Sequence, residues 1–153
     1  MFVYSQIGEF DLVALKQEAA ISPKRRARYN LHRSRVDPVQ EMIIAACSDT
    51  ILFPHRQVGR RKSYVIIEGI IEIKFYSPIG AEMTTYLLDE NKCLILSFDA
   101  TQWHTVAPIS DSVIFKETIS GPYDPHQTEW ATWINVIKDF DLFSKTPLNG
   151  DNL

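Results

Sequence analysis

Residues 63–88 read Ser63-Tyr64-Val65-Ile66-Ile67-Glu68-Gly69-Ile70-Ile71-Glu72-Ile73-Lys74-Phe75-Tyr76-Ser77-Pro78-Ile79-Gly80-Ala81-Glu82-Met83-Thr84-Thr85-Tyr86-Leu87-Leu88. In the middle of this stretch Ile71, Ile73 and Phe75 alternate with Glu72, Lys74 and Tyr76. That is the two-residue period of a strand with one buried and one wet face. Ser77-Pro78-Ile79-Gly80 supplies the hairpin turn to a following strand, Met83 to Leu88, and Glu68-Gly69 turns the preceding strand, Ser63 to Glu68, into it.

The same texture extends in both directions. Short runs rich in β-branched and aromatic residues, broken by turn residues about every ten positions, predict further strands at Val39–Cys47, Ile51–Gln57, Cys93–Phe98, His104–Ile109 and Val113–Ile119. With the three of the opening stretch these suit an antiparallel β-sandwich of the jelly-roll kind, an all-β fold. Upstream, Asp11 can cap a short helix with Leu12, Leu15 and Ala19 on one face, and Ser22-Pro23 stops it. Downstream, Trp130, Trp133, Ile134, Ile137 and Phe140 recur at helical spacing and predict a closing amphipathic helix, with a disordered tail after Ser144.

A chain of 153 residues is one ordinary domain, long enough to bury a core without disulfide or metal staples. Apolar residues at 45% and charged residues at 23% exclude a disordered or fibrous class. No apolar run approaches the roughly 20 residues a bilayer demands, and the N-terminus lacks the pattern of a secretory signal, so a cytoplasmic protein without a membrane span is expected. Cys47 and Cys93 lie in strand-like runs and form no C-x-x-C pair, which fits free, buried thiols in a reducing compartment. The net charge of -3 argues against nucleic acid as a partner. It also conceals an acid-free segment carrying Lys24, Arg25, Arg26, Arg28, Arg33 and Arg35, a candidate anion site.

His55 and Gln57 are two apart on a predicted strand, so their side chains leave one face, and His104 opens another strand about a third of the chain later. A sandwich can bring all three to one pocket. In order and spacing, Pro54-His55-Arg56-Gln57, Lys62, Glu68-Gly69 and Trp103-His104-Thr105 resemble the two motifs of the cupin superfamily. Ser22-Pro23-Lys24-Arg25-Arg26-Ala27-Arg28-Tyr29-Asn30-Leu31-His32, Asp37-Pro38-Val39-Gln40 and Gly121-Pro122-Tyr123 further resemble the WbuC family of cupin-fold metalloproteins. The resemblance implies a cupin barrel over residues 37–125, an N-terminal lid or arm with the basic segment over 1–36, the C-terminal helix over 126–144 and the tail over 145–153, all one domain. It also implies a metal-binding ancestry and a setting in surface-polysaccharide (O-antigen or capsule) biosynthesis.

The departures from that pattern bear on chemistry. Where a metal-binding cupin has two histidines, a glutamate and a third histidine, this chain reads His55, Gln57, Lys62 and His104. The resemblance makes His55, Gln57 and His104 the ligands of any divalent zinc, nickel, iron or manganese ion. An ammonium in place of the carboxylate makes an absent or partial metal the expectation, and an iron oxygenase lacks its carboxylate ligand. No nucleotide cofactor is expected. Asp99 and Thr101 also replace the proline and glycine that shape the turn before the second-motif histidine.

An ammonium offers a fixed positive charge to a developing enolate or sugar carbonyl, so His55, His104 and Lys62 are the candidate electrophilic and acid-base cluster. Equally, the histidines can be a hydrogen-bonded pair lining a solvent-filled pocket, and Lys62 can be a solvated continuation of Arg60-Arg61. Guanidinium forks match phosphate oxygens, which nominates Arg25, Arg26 and Arg28, with Tyr29, Asn30 and His32 folding over the pocket mouth; an ordinary solvated helix face is the plain alternative. Glu117, inward with Val113 and Phe115, needs a partner, for which an arginine of the N-terminal segment is the candidate. Trp103 is a candidate for stacking on a sugar ring, and Tyr123 for aiming its hydroxyl into the site. The expected ligand is a sugar or sugar nucleotide, turned over by an isomerase or epimerase, or held by a non-catalytic binding module. A homodimer paired through sheet edges is the expected assembly.

Overall fold

The alternation in the opening stretch is realised residue by residue: Ile71, Ile73 and Phe75 are buried, and their odd-numbered face looks into the molecule. The computed structural model describes residues 4–50 and 52–133. In chain order these form helix α1 (Glu9–Ile21) and strands β1 (Arg26–Asn30), β2 (Val39–Cys47), β3 (His55–Gln57), β4 (Arg61–Glu68), β5 (Ile70–Tyr76), β6 (Glu82–Asp89), β7 (Ile95–Asp99), β8 (Trp103–Pro108) and β9 (Ser112–Ser120). A 3-10 turn (Pro125–Gln127) leads into β10 (Thr128–Trp130).

Two antiparallel five-stranded sheets face each other in the orders β1-β2-β9-β4-β7 and β10-β3-β8-β5-β6, a cupin-type β-sandwich. Between them lies a core of Tyr64, Ile66, Ile71, Ile73, Phe75, Leu88, Phe98, Val106, Val113 and Phe115. Its aromatic rings meet edge to face, Phe75 on Phe98 at 5.0 Å and Tyr64 on Phe115 at 5.5 Å, a geometry worth about 1 kcal/mol per pair beyond area burial. The outer face of the first sheet is covered by α1, whose Leu15 and Ala19 pack on Ala27, Ile43, Ala45 and Ile114. Gly69 and Gly80, at φ 83° and 87°, supply the left-handed backbone of the two turns that bracket β5.

The eight anticipated strands all exist, but the ends of the chain differ from expectation. Residues 26–30 are neither arm nor helix face: β1 pairs with β2 from Arg26↔Ala46 to Asn30↔Met42 and becomes the edge of the first sheet. At the other end Thr128–Trp130 is not helical; it pairs with β3 over Gln57 to His55, because the exposed edge of that strand offers ladder hydrogen bonds. From Ile134 onward the anticipated C-terminal helix, with Ile137 and Phe140, and the tail lie outside the described residues. Asp11 does serve the helix start, from the third helical position: its carboxylate accepts from the Gly8 amide at 2.8 Å. Of the two free cysteines, Cys47 is buried, whereas Cys93 is exposed because it follows the Asp89–Lys92 turn at the surface.

Candidate functional site

The turn before His104 holds without proline or glycine. Asp99 accepts the Thr101 amide at 2.9 Å, which also keeps its carboxyl below the usual range, and the Gln102 amide donates to the Asp99 carbonyl at 3.2 Å. The chain then enters β8 in a register that sets His104 directly opposite His55, with Trp130 and Phe75 continuing the row.

The two imidazoles lie 4.5 Å apart, centroid to centroid, and are 2% and 0% exposed. Each ring is held by the backbone two residues before it: His55 Nδ1 meets the Phe53 carbonyl at 3.0 Å and His104 Nδ1 the Gln102 carbonyl at 2.7 Å. A carbonyl only accepts, so both Nδ1 atoms carry the proton and both Nε2 atoms keep a lone pair. Burial, and then the charge of Lys62, push the His55 pKa down to about 3; the same causes lower His104 well below its ordinary value. Both rings are neutral near pH 7.

Lys62 comes from β4 in the opposite sheet and is 1% exposed. Its Nζ donates toward His104 Nε2 at 3.4 Å and pairs with Glu117 Oε2 at 3.7 Å. Burial lowers its pKa, and Glu117 opposes that shift. Lys62 is thus one partner of the inward Glu117. His55 Nε2 is different: it is buried with no hydrogen-bond partner, as are Gln57 Oε1 and the Tyr64 hydroxyl.

A cavity of about 200 Å³ opens between the sheets, with His55, Tyr64 and Glu117 in its wall, Lys24, Arg26 and Arg28 on its basic side, and Ile44, Leu52, Val106 and Phe115 as apolar lining. A second, of about 120 Å³, is lined by Arg28, Asn30, His32, Arg35, Gln57, Glu117 and Tyr123. On β1 the inward parity of Arg26, Arg28 and Asn30 is fixed by Ala27, which packs under α1 on the other face.

Not every anticipated residue reaches a cavity. His104 and Lys62 line neither; they stand behind His55 and Glu117, with His104 wedged against Phe98 at 4.8 Å. Of the three, only His55 reaches the wall of either cavity. Arg25 precedes β1 at φ 57° and points away, pairing with Asp49 at 3.0 Å and donating to the Ala20 carbonyl at the end of α1. Tyr29, of opposite parity to Arg28, is half-exposed outside both cavities. Trp103 neighbours His104 on the strand and so leaves the opposite face, where the Arg56 guanidinium lies 4.7 Å over its ring. Tyr64 was not anticipated in a cavity wall, whereas Arg35 had been singled out only as part of the basic segment. The inward parity that Tyr64 shares with Lys62 on β4 was a usable signal, and Arg35 closes the basic segment already singled out.

Among the described residues no group of three or more His, Cys, Asp or Glu could hold a metal ion, and the Lys62 ammonium lies where it would meet an ion approaching His104 Nε2. No helix among the described residues is long and apolar enough to cross a membrane.

Solved structures share this architecture. The chain aligns with the capsular polysaccharide assembling protein CapF from Staphylococcus aureus over 72% of its own length and 32% of that chain, at TM-score 0.62 and 12% identity. It aligns with protein SO0799 from Shewanella oneidensis over 67% and 72% of the two chains, at TM-score 0.56 and 14% identity. Recombinant oxalate oxidase in complex with glycolate matches over 72% and 57%, at TM-score 0.54 and 7% identity. At these identities the likeness is one of fold, and this chain spans about a third of the CapF chain. Among curated proteins none matches. The family model that matches, over residues 7–88, is described as a domain of unknown function (DUF6016).

Proposed function

The chain belongs to the DUF6016 family, and from its site we propose that it binds a small oxygenated anion, of the sugar-phosphate or sugar-nucleotide class, in the cavity between its sheets. The observation that carries this reading is the meeting of Arg26, Arg28 and His55 in the wall of one cavity, with the Nε2 of that histidine buried and unpartnered. Guanidinium forks take phosphate or carboxylate oxygens, and a buried lone pair asks for a hydroxyl donor. The apolar wall of Ile44, Val106 and Phe115 suits the non-polar face of a sugar ring. Service in surface-polysaccharide assembly is supported by the likeness to CapF and by the strings that resemble the WbuC family. A cytoplasmic homodimer belongs to the same reading, supported by Met83, Leu87 and Ile95, exposed on the sheet-edge strands β6 and β7.

Isomerase or epimerase chemistry would use His55 Nε2 as the proton acceptor, with the Lys62 ammonium behind it supplying the positive charge that a metal supplies in other cupins. An imidazole with a pKa of about 3 is a weak base at neutral pH, which favours binding over turnover. An anion seated at Arg28 would raise that pKa and restore the base.

A thermal-shift and calorimetric screen against nucleotide-linked deoxysugars tests the reading. Saturable binding that weakens tenfold or more in Arg26→Met supports it; binding that ignores both Arg26→Met and His55→Gln removes it. Solvent deuterium entering a bound sugar marks an enzyme, and saturation without exchange marks a binding module.

A further inference from the structure

We infer that the larger cavity is sorted into a polar and an apolar end, and that its ligand is a sugar carrying a compact alkyl or acyl group, which fills the apolar end. The inference rests on the proposed sugar-directed function and narrows it to substituted sugars. Three rows of paired residues in the first sheet carry it. Glu117 stands between Tyr64 and Met42; two residues along the strands Phe115 stands between Ile66 and Ile44, and two further Val113 stands beside Ala46. In the second sheet His104 lies opposite His55, and Val106 and Pro108 follow it on the same face of β8. Lys62, 3.4 Å from His104 and 3.7 Å from Glu117, ties the polar ends of the two sheets together.

The wall therefore changes character along one direction. His55, Tyr64 and Glu117 line the cavity near the place where the lysine joins the sheets; Ile44, Ala46, Val106 and Pro108 line it beyond. Arg26 pairs with Ala46 and Arg28 with Ile44, so the arginines flank the apolar end only along the sheet edge. Ala46 is what opens that end, because its row presents a methyl group where the next row presents the larger Ile44. An unsubstituted hexose carries hydroxyls around its whole ring. Those turned toward Ala46 and Pro108 would give up water without gaining a partner, which costs free energy. An alkyl or acyl group placed there gains by burying its own surface. The volume of about 200 Å³ exceeds the roughly 150 Å³ that accepts benzene in an apolar pocket, so a group up to the size of a six-membered ring fits.

Benzene, cyclohexanol and myo-inositol, titrated into the full chain and followed by calorimetry and thermal shift, test the inference, since the last two share a ring and differ in hydroxylation. Benzene and cyclohexanol are expected to bind saturably, cyclohexanol tenfold or more tighter than myo-inositol. Ala46→Leu, which fills the apolar end, is expected to weaken cyclohexanol tenfold or more. Ile44→Phe fills the same end from a half-buried position and serves where the first variant does not fold. If myo-inositol binds as tightly as cyclohexanol and Ala46→Leu abolishes it, the cavity accepts a fully hydroxylated ring; the apolar end is then refuted alone and the sugar site stands. If cyclohexanol binds equally to wild type and both variants, its site is elsewhere and the inference is overturned. If neither benzene nor cyclohexanol binds, the space is a packing void at that end and the inference falls, while the screen with nucleotide-linked deoxysugars decides the proposed function separately.

Discussion

Lys62 and Glu117 reach toward each other from neighbouring strands of one sheet, 3.7 Å between charged atoms, with side chains 0% and 9% exposed. A pair so placed has surrendered its hydration, and each charge depends on the other.

Removing one partner should accordingly cost more than removing both. Lys62→Met is expected to destabilise the fold by about 3 kcal/mol or more, because it strands a carboxylate in the interior. Lys62→Met combined with Glu117→Gln should recover most of that loss. Urea denaturation of the two single variants and the double variant forms the cycle, and strict additivity would show the charges to be independent.

Acid should weaken the protein before its surface carboxylates titrate. His55 has a pKa of about 3 when folded and the ordinary 6.5 when unfolded, so below pH 6.5 the unfolded chain takes up a proton that the folded ring refuses. Its contribution is complete above pH 6.5 and declines by about 1.4 kcal/mol per pH unit down to about pH 3. His104, shifted the same way, steepens the decline. Unfolding free energies between pH 7 and 5 should show this slope, and His55→Gln should flatten it; an unchanged slope in that variant would place the proton uptake elsewhere.

Protein prepared without a metal-affinity tag should carry far less than one equivalent of any divalent metal by elemental analysis, and chelator should leave its melting temperature unchanged. The combination Gln57→His with Lys62→Glu returns the histidine and carboxylate donors that other cupins present. That variant should take up one equivalent of zinc and gain about 2.7 kcal/mol of stability at a zinc concentration a hundredfold above its Kd. Stoichiometric metal in the unmodified protein would overturn the view that Lys62 stands in for it.

Tyr64→Phe should trade ligand for stability. The hydroxyl is buried without a partner in the wall of the larger cavity, and burial together with the Glu117 charge drives its pKa up. Its removal is expected to stabilise the free protein by about 1 kcal/mol and to weaken the bound sugar. A drop in melting temperature would mean that the hydroxyl supports the core rather than awaiting a ligand.

The central strands were legible because each sets an apolar face against the core. β2 begins and ends where its pattern predicts, and β5 begins one residue earlier. The cavity-lining edge was not. Arg26-Ala27-Arg28-Tyr29-Asn30 does alternate, but its polar members are the ones turned toward the cavities, the reverse of the apolar-inward pattern that marks a strand. Trp130 and Trp133 sit three apart, and that spacing imitates a helix, although Trp130 is fixed by its pairing opposite His55 and stacks near it at 5.3 Å. The burial of Lys62 was masked by Arg60 and Arg61 before it, which reach solvent and the Gln127 side chain from the same short run. The pairing of His55 with His104 followed from motif spacing. Which of them a ligand can touch depended on the depth of each ring, and depth leaves no mark in spacing.

The core between the sheets draws its buried residues from Ala46 to Phe115, whereas β1 and β10 come from opposite ends of the described chain and complete the outer edges of the two sheets. The basic wall of the two cavities is thus supplied largely by β1, which lies outside the core between the sheets. Varying Arg26, Arg28 and Asn30 therefore reshapes that wall while the core goes untouched.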